Sequence, residues 1–205
     1  MMQGDVTVAM EQGAALLPLL PELARLRLTV FRDWPYLYDG SQEYETTYLQ
    51  TYVKAPGAGI AVARDGAAVV GASTCLPLPE AHDEVKAPFV VAGLELGDFF
   101  YFGESVLLDA YRGRGIGVRF FELREARARW LGRARYCAFC AVERAAEDPR
   151  RPAGASGLDA FWRHRGYARQ PDLTCRMAWK DVGAAGEDAK TLTFWIKPLY
   201  ADAPL

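Results

Sequence analysis

The chain has 205 residues, of which 51% are apolar and 24% charged, and a formal net charge of −2; this balance predicts a single soluble domain over 1–205 and excludes a general nucleic-acid binder. No apolar run reaches the length of a membrane span. The stretch 16–20 is short and contains Pro18, so neither a membrane partner nor a signal peptide is expected. Four cysteines, at 75, 137, 140 and 175, do not make a disulfide framework and point to a reducing cytoplasm.

Residues 5–9 read as a short first strand. From 14 to 30, leucines at 16, 17, 20, 23, 26 and 28 predict one or two helices, interrupted near Pro18 and Pro21. An aromatic turn over 31–40 ends them. A further helix follows, capped by Ser41, with Tyr44, Tyr48 and Tyr52 at helical spacing. Asp65-Gly66 between two apolar runs predicts a hairpin over 59–76. A short helix is expected around 81–91. The run 98–108 is apolar enough for a central strand covered on both faces, and it leads into a helix over 115–131. A strand over 134–142, a loop over 143–157, a helix over 158–165 ended by Gly166, and strands near 173–180 and 191–196 complete the order. Residues 181–190 read as a flexible connection. The sequence of elements predicts an α+β fold with one mixed sheet.

Two motifs raise chemistry. Cys137-x-x-Cys140 has metal or redox spacing, but on a strand its thiols point to opposite faces. With His82 and His164 as the only histidines, no metal site is expected. The other motif is Tyr111-Arg-Gly-Arg-Gly-Ile-Gly117, between a strand and a helix. Glycines at 113, 115 and 117 allow a tight turn that presents several amides to one point, beside the positive end of a helix dipole. Arg112 and Arg114 suit a phosphate or pyrophosphate. The glycine spacing is not that of a dinucleotide fingerprint, no acidic residue follows near Arg133, and the Gly-Lys-Ser/Thr of a Walker loop is absent. This disfavours a nucleotide-binding oxidoreductase. An ordinary turn using glycine for geometry alone would not need the paired arginines.

The pattern Arg112-x-x-Gly115-x-Gly117 resembles the pyrophosphate-binding motif of the GNAT acetyltransferase superfamily. Phe161-Trp162-x-x-x-Gly166-Tyr167 resembles that superfamily's Phe-Tyr-x-x-x-Gly-Phe, and the order of the two motifs fits over about residues 5–196. The resemblance implies a mixed, mostly antiparallel central sheet flanked by helices, with splayed central strands forming a CoA cleft. It implies acetyl-CoA as co-substrate, no metal, and transfer to the primary amine of a small molecule. Arg112, Gly113, Arg114, Gly115, Ile116, Gly117 and Arg119 would hold the phosphates. Backbone groups of Val106, Leu107 and Leu108 would hold the pantetheine, and Phe161 and Trp162 belong to the second motif. Glu104 sits where the superfamily often places its base. Burial among Phe99, Phe100, Tyr101 and Phe102 would raise its pKa. The other reading makes it a structural carboxylate bonded to a strand or an arginine. Asp98 is a weaker candidate.

Trp162 replaces the Tyr that often acts as acid, Tyr167 reads as a packing residue, and Ala155 stands where an Asn is frequent, so no acid is assigned. A non-catalytic acyl-CoA-binding module is the rival reading. The stretch Arg119, Arg124, Arg127, Arg129, Arg133 and Arg135 reads as a solvated face, with Arg119 reaching the phosphates. Phe31, Trp34, Tyr36, Tyr38, Tyr44 and Tyr48 either line a pocket for an aromatic, hydrophobic or cationic amine or pack helices onto the sheet. Asp33, Asp39, Glu43 and Glu45 would draw a cation. The apolar segment 191–205 would suit a homodimer contact or an exchanged strand.

Overall fold

The computed structural model describes residues 5–201. Seven strands form one sheet in the order β1-β2-β3-β4-β5-β7-β6. They are β1 (Thr7–Glu11), β2 (Gly59–Asp65), β3 (Ala68–Pro77), β4 (Phe99–Leu107), β5 (Tyr136–Val142), β6 (Ala168–Lys180) and β7 (Glu187–Pro198). Every neighbouring pair is antiparallel except β4–β5. The helices are α1 (Leu20–Phe31), α2 (Gln42–Lys54), α3 (Asp83–Val91), α4 (Ile116–Leu131) and α5 (Asp159–His164).

The expected elements are present, with differences that have physical causes. Residues 13–19 form a 3-10 segment, and Pro21 falls in the first turn of α1, where its missing N–H costs nothing. Ser41 caps α2, its Oγ accepting from the Tyr44 amide at 3.2 Å. The last two strands run longer than their apolar cores because they pair with each other across the 181–186 turn. That turn is not a loose connection. Asp181 is buried, and Arg144, Arg150 and Lys190 all pair with it. Residues 191–198, within the segment expected to meet a partner, lie in β7 and pair with β5 and β6, while 202–205 lie outside the described residues.

Leu23, Leu49, Tyr52, Phe99, Tyr101 and Val106 belong to the core beneath α1, α2 and α3. Phe100, Phe102, Phe121, Phe139 and Tyr167 fill the opposite face beneath α4 and α5. Cys137 packs in this second cluster and Cys140 in the first, so the two thiols face opposite sides of β5 as expected. Among the described residues, no helix is long and apolar enough to cross a membrane.

The central strand is irregular at one place. Cys75 pairs with Phe102 and Ser73 with Ser105, so two steps on β3 match three on β4. The extra residue makes a bulge at Gly103–Glu104 and shifts the alternation by one. Without it, Glu104 would share a face with Phe100 and Phe102. With it, Glu104 turns to the opposite face, as does Val106. Ser73 pins the bulge by donating to the Glu104 carbonyl at 3.0 Å, and the Glu104 amide donates to Thr74 Oγ1 at 3.1 Å.

Candidate functional site

The site is organised around the far half of β4. Parallel pairing with β5 runs only from Phe99↔Tyr136 to Tyr101↔Ala138. Beyond Tyr101 the β5-facing edge of β4 is left without its ladder, and the strand ends at the glycine turn. Gly113 and Gly115 have φ of +74° and +79°, the left-handed region that glycine enters at no steric cost. The first bonded amide of α4 is that of Arg119, to the Gly115 carbonyl at 3.1 Å, so the amides of Ile116, Gly117 and Val118 are its open first-turn donors. Arg112, Arg114 and Arg119 surround this turn and are exposed. Arg112 pairs with Asp109 at 2.8 Å, Arg119 with Glu122 at 3.0 Å, and Arg114 donates to the Ala110 carbonyl at 2.8 Å. Such exposed contacts are weak and exchange readily for a phosphate.

The other predicted binding residues fall into two groups. Val106 is fully buried under α1, Leu107 packs toward α4, and the Leu108 amide is taken by the Val70 carbonyl at 3.0 Å. Phe161 lies over the turn, where a Cβ placed on Gly117 would meet its ring at 3.6 Å. Trp162 instead meets Phe139 and Trp195 edge to face, both at 5.1 Å between centroids, and has a packing role. Tyr167 is buried and donates to Glu125 at 3.1 Å, the packing position expected of it. Arg124 and Arg127 correct the reading of a solvated stretch. Arg124 lies over the Phe102 ring at 4.1 Å, and Arg127 donates to the Gly57 carbonyl at 3.3 Å.

On the opposite face of the sheet, β4 forms the wall of a cavity of about 590 Å³. Phe31, Tyr36, Tyr38, Tyr44 and Tyr48 line it as one of the two readings expected, but Trp34 does not. Tyr52, Tyr101 and Trp179 complete the aromatic wall. Buried within it, Arg27 bridges Glu45 and Glu104. Burial works against the Arg27 charge, but Glu104, Tyr48 and Glu45 outweigh it and keep the guanidinium protonated. Tyr48 donates to Glu104 Oε2 at 3.2 Å and lies 3.1 Å from Tyr52 Oη, which accepts from Thr74 at 3.1 Å. Burial, and next the nearby Glu104 charge, pushes the Tyr48 and Tyr52 pKa values up. Both phenols therefore stay protonated at neutral pH.

Glu104 thus sits in a salt bridge with an arginine, on the face of Phe99 and Tyr101 and not on that of Phe100 and Phe102, because the bulge turned it over. Asp98 lies at the opposite end of β4, beside Arg135 at 3.7 Å, away from this cluster. Arg27 was not anticipated, although the sequence marks it: Leu20, Leu23, Ala24, Arg27 and Phe31 make one buried stripe of α1. Glu45, expected as an attractive loop acid, is fully buried on α2 in the stripe it shares with Leu49 and Tyr52.

The sheet is thus open, with one parallel pair that parts in the middle and a glycine turn where the central strand ends. Comparison with solved structures makes the fold specific. A Desulfovibrio desulfuricans protein described as an acetyltransferase of the GNAT family is similar with a TM-score of 0.57 and 10% identity, over 95% of this chain and 100% of that one. The Salmonella typhimurium protein yncA, solved with its cofactor acetyl-CoA, gives 0.57 and 12% over 97% and 96%. Arabidopsis thaliana NAA60, solved with a bisubstrate analogue, gives 0.60 and 12% over 94% and 98%. The chain has the GNAT fold. No protein-family model and no curated protein matches the sequence.

Proposed function

We propose that the chain is an acetyl-CoA-dependent N-acetyltransferase of the GNAT superfamily, transferring an acetyl group directly to the primary amine of a small molecule. One observation carries this reading. The same stretch of β4 that runs into the glycine turn also places a carboxylate, Glu104, in the wall of an aromatic cavity on the other face of the sheet. The residues fit acetyl-CoA: open amides at the start of α4, two left-handed glycines and three exposed arginines suit its phosphates, and the unladdered edge of β4 around Val106 and Leu107 suits its pantetheine, while the Leu108 amide is already taken by Val70. Bound there, acetyl-CoA would supply an activated acyl thioester.

The protein's own part is to deprotonate and orient the amine. Arg27 between two carboxylates leaves the cluster with a net charge of −1. Uptake of one proton by Glu104 neutralises the cluster and leaves Arg27 with Glu45 as its counter-ion. Tyr48 holds Glu104 Oε2 throughout. Glu104 is therefore the general base in this reading.

The test is thiol release from acetyl-CoA against a panel of amines, comparing wild type with Glu104→Gln. Amine-dependent release that falls about 100-fold or more in the variant, with unchanged acetyl-CoA affinity, is expected. The Arg27–Glu104 ion pair favours a second reading, a non-catalytic acyl-CoA-binding module in which the carboxylate is structural. Tight CoA binding with no release for any amine would select it.

A further inference from the structure

We infer that the ligand of the aromatic cavity is a cationic amine with an aromatic or apolar body and no carboxylate, of the arylalkylamine type. That this ligand is the acetyl acceptor rests on the transferase reading; its chemical class rests on the cavity.

Charge sets the first requirement. The inner cluster has one carboxylate more than it has cations, and Glu84 and Glu187 add negative charge at the exposed rim. Among the described residues, the arginine and lysine side chains lining the cavity are Arg27 and Lys180. Both are occupied: Arg27 by Glu45 and Glu104, Lys180 by Asp39 at 3.1 Å. His82 stacks on the Tyr48 ring at 5.3 Å. A ligand carboxylate would enter a net negative site with no free guanidinium or ammonium to receive it, which excludes free amino acids and acidic peptides.

Glu45 is fully buried, with Arg27 on its Oε2 and the Tyr38 hydroxyl bonded to its carboxylate. Two carboxylates therefore share one guanidinium at the cavity wall, and a ligand ammonium supplies the missing counter-charge. The wall sets the rest. Phe31, Tyr36, Tyr44 and Trp179 give the wall aromatic surface against which an aromatic body packs, and Leu76 and Leu192 add apolar surface. At about 590 Å³ the space suits a small molecule.

The experiment is calorimetric titration of the full chain, with CoA present and absent, using four probes: phenylethylamine, phenylalanine, phenylethanol and spermidine. Saturable binding of phenylethylamine, about tenfold or more tighter than phenylalanine and phenylethanol, is expected. Equal or tighter binding of phenylalanine, preference for spermidine, or no saturable binding of phenylethylamine overturns the ligand class. Acetyl transfer is then measured separately. Phenylethylamine that binds but is never acetylated leaves the ligand class standing and overturns the transferase. Acetylation of spermidine or phenylalanine but not phenylethylamine does the reverse.

Discussion

Gly103→Ala tests whether the bulge is what presents Glu104. A Cβ on Gly103 would lie 2.5 Å from Tyr52 Oη and closer still to Thr74 Oγ1. Neither neighbour is the loose end of a surface chain: Tyr52 is 2% exposed and Thr74 1%. Relief therefore requires that the Tyr52–Thr74 bond open or that β4 move away. Overfilling such a site costs about 1–3 kcal/mol, and one lost hydrogen bond costs about 1 kcal/mol. The stiffer unfolded chain offsets about 0.4–1 kcal/mol. The net loss is about 2 kcal/mol, which lowers Tm by roughly 4–8 °C in a chain of this size. Because Tyr52 contacts Tyr48, which holds Glu104, a displacement of about 1 Å is passed to the base and reduces transfer about 100-fold. Gly97→Ala is the control, since nothing lies within 4 Å of a Cβ there. The assays are thermal melting and acetyl transfer with phenylethylamine. A Gly103→Ala protein that melts within 2 °C of wild type (about half the smallest expected drop) and transfers at the same rate would refute this account of the bulge.

Three further substitutions probe the remaining parts of the site. Arg27→Met leaves Glu45 and Glu104 buried without their cation and is expected to destabilise by about 3–5 kcal/mol, with Glu45→Gln in the same chain restoring part of the loss in a double-mutant melt. Gly115→Ala forces a left-handed residue at the start of α4, costing about 1–2 kcal/mol and raising the KM for acetyl-CoA about tenfold while leaving that for the amine unchanged. Burial alone would raise the Asp181 pKa, but hydrogen bonds from Arg144, Arg150 and Lys190 hold the carboxyl well below its usual range. Its stabilising contribution is therefore present above the unfolded value of about 3.9 and is lost as pH falls through the lower folded value. Asp181→Asn should melt well below wild type at pH 7, and titrating both to acid should close that gap; a gap independent of pH counts against the clasp.

The order of elements was legible because each was announced by a local signal: Asp65-Gly66 for the hairpin, Ser41 for the α2 cap, and the glycines for the α4 start. Arg112 to Gly117 could be read as an anion turn for the same reason, since the donors are backbone amides whose placement depends on local φ. Glu104 was legible as a residue, and an arginine partner was one of the two readings of its surroundings, but the face it takes was not legible. Strict alternation along β4 aligns it with Phe100 and Phe102, and only the pairing with β3 shows that one residue bulges out. That pairing joins residues about 30 positions apart, so no window on the sequence contains it. The same holds for the Asp181 clasp, whose partners come from the 143–157 loop and from β7. Arg27 lies between these cases. A charge in the apolar stripe of α1 signals either a partner or a site, but its partners sit on α2 and β4. What the fold adds is the meeting of Glu45 and Glu104 on one guanidinium. That meeting gives the cavity its net negative charge, on which the inferred choice of an amine rests.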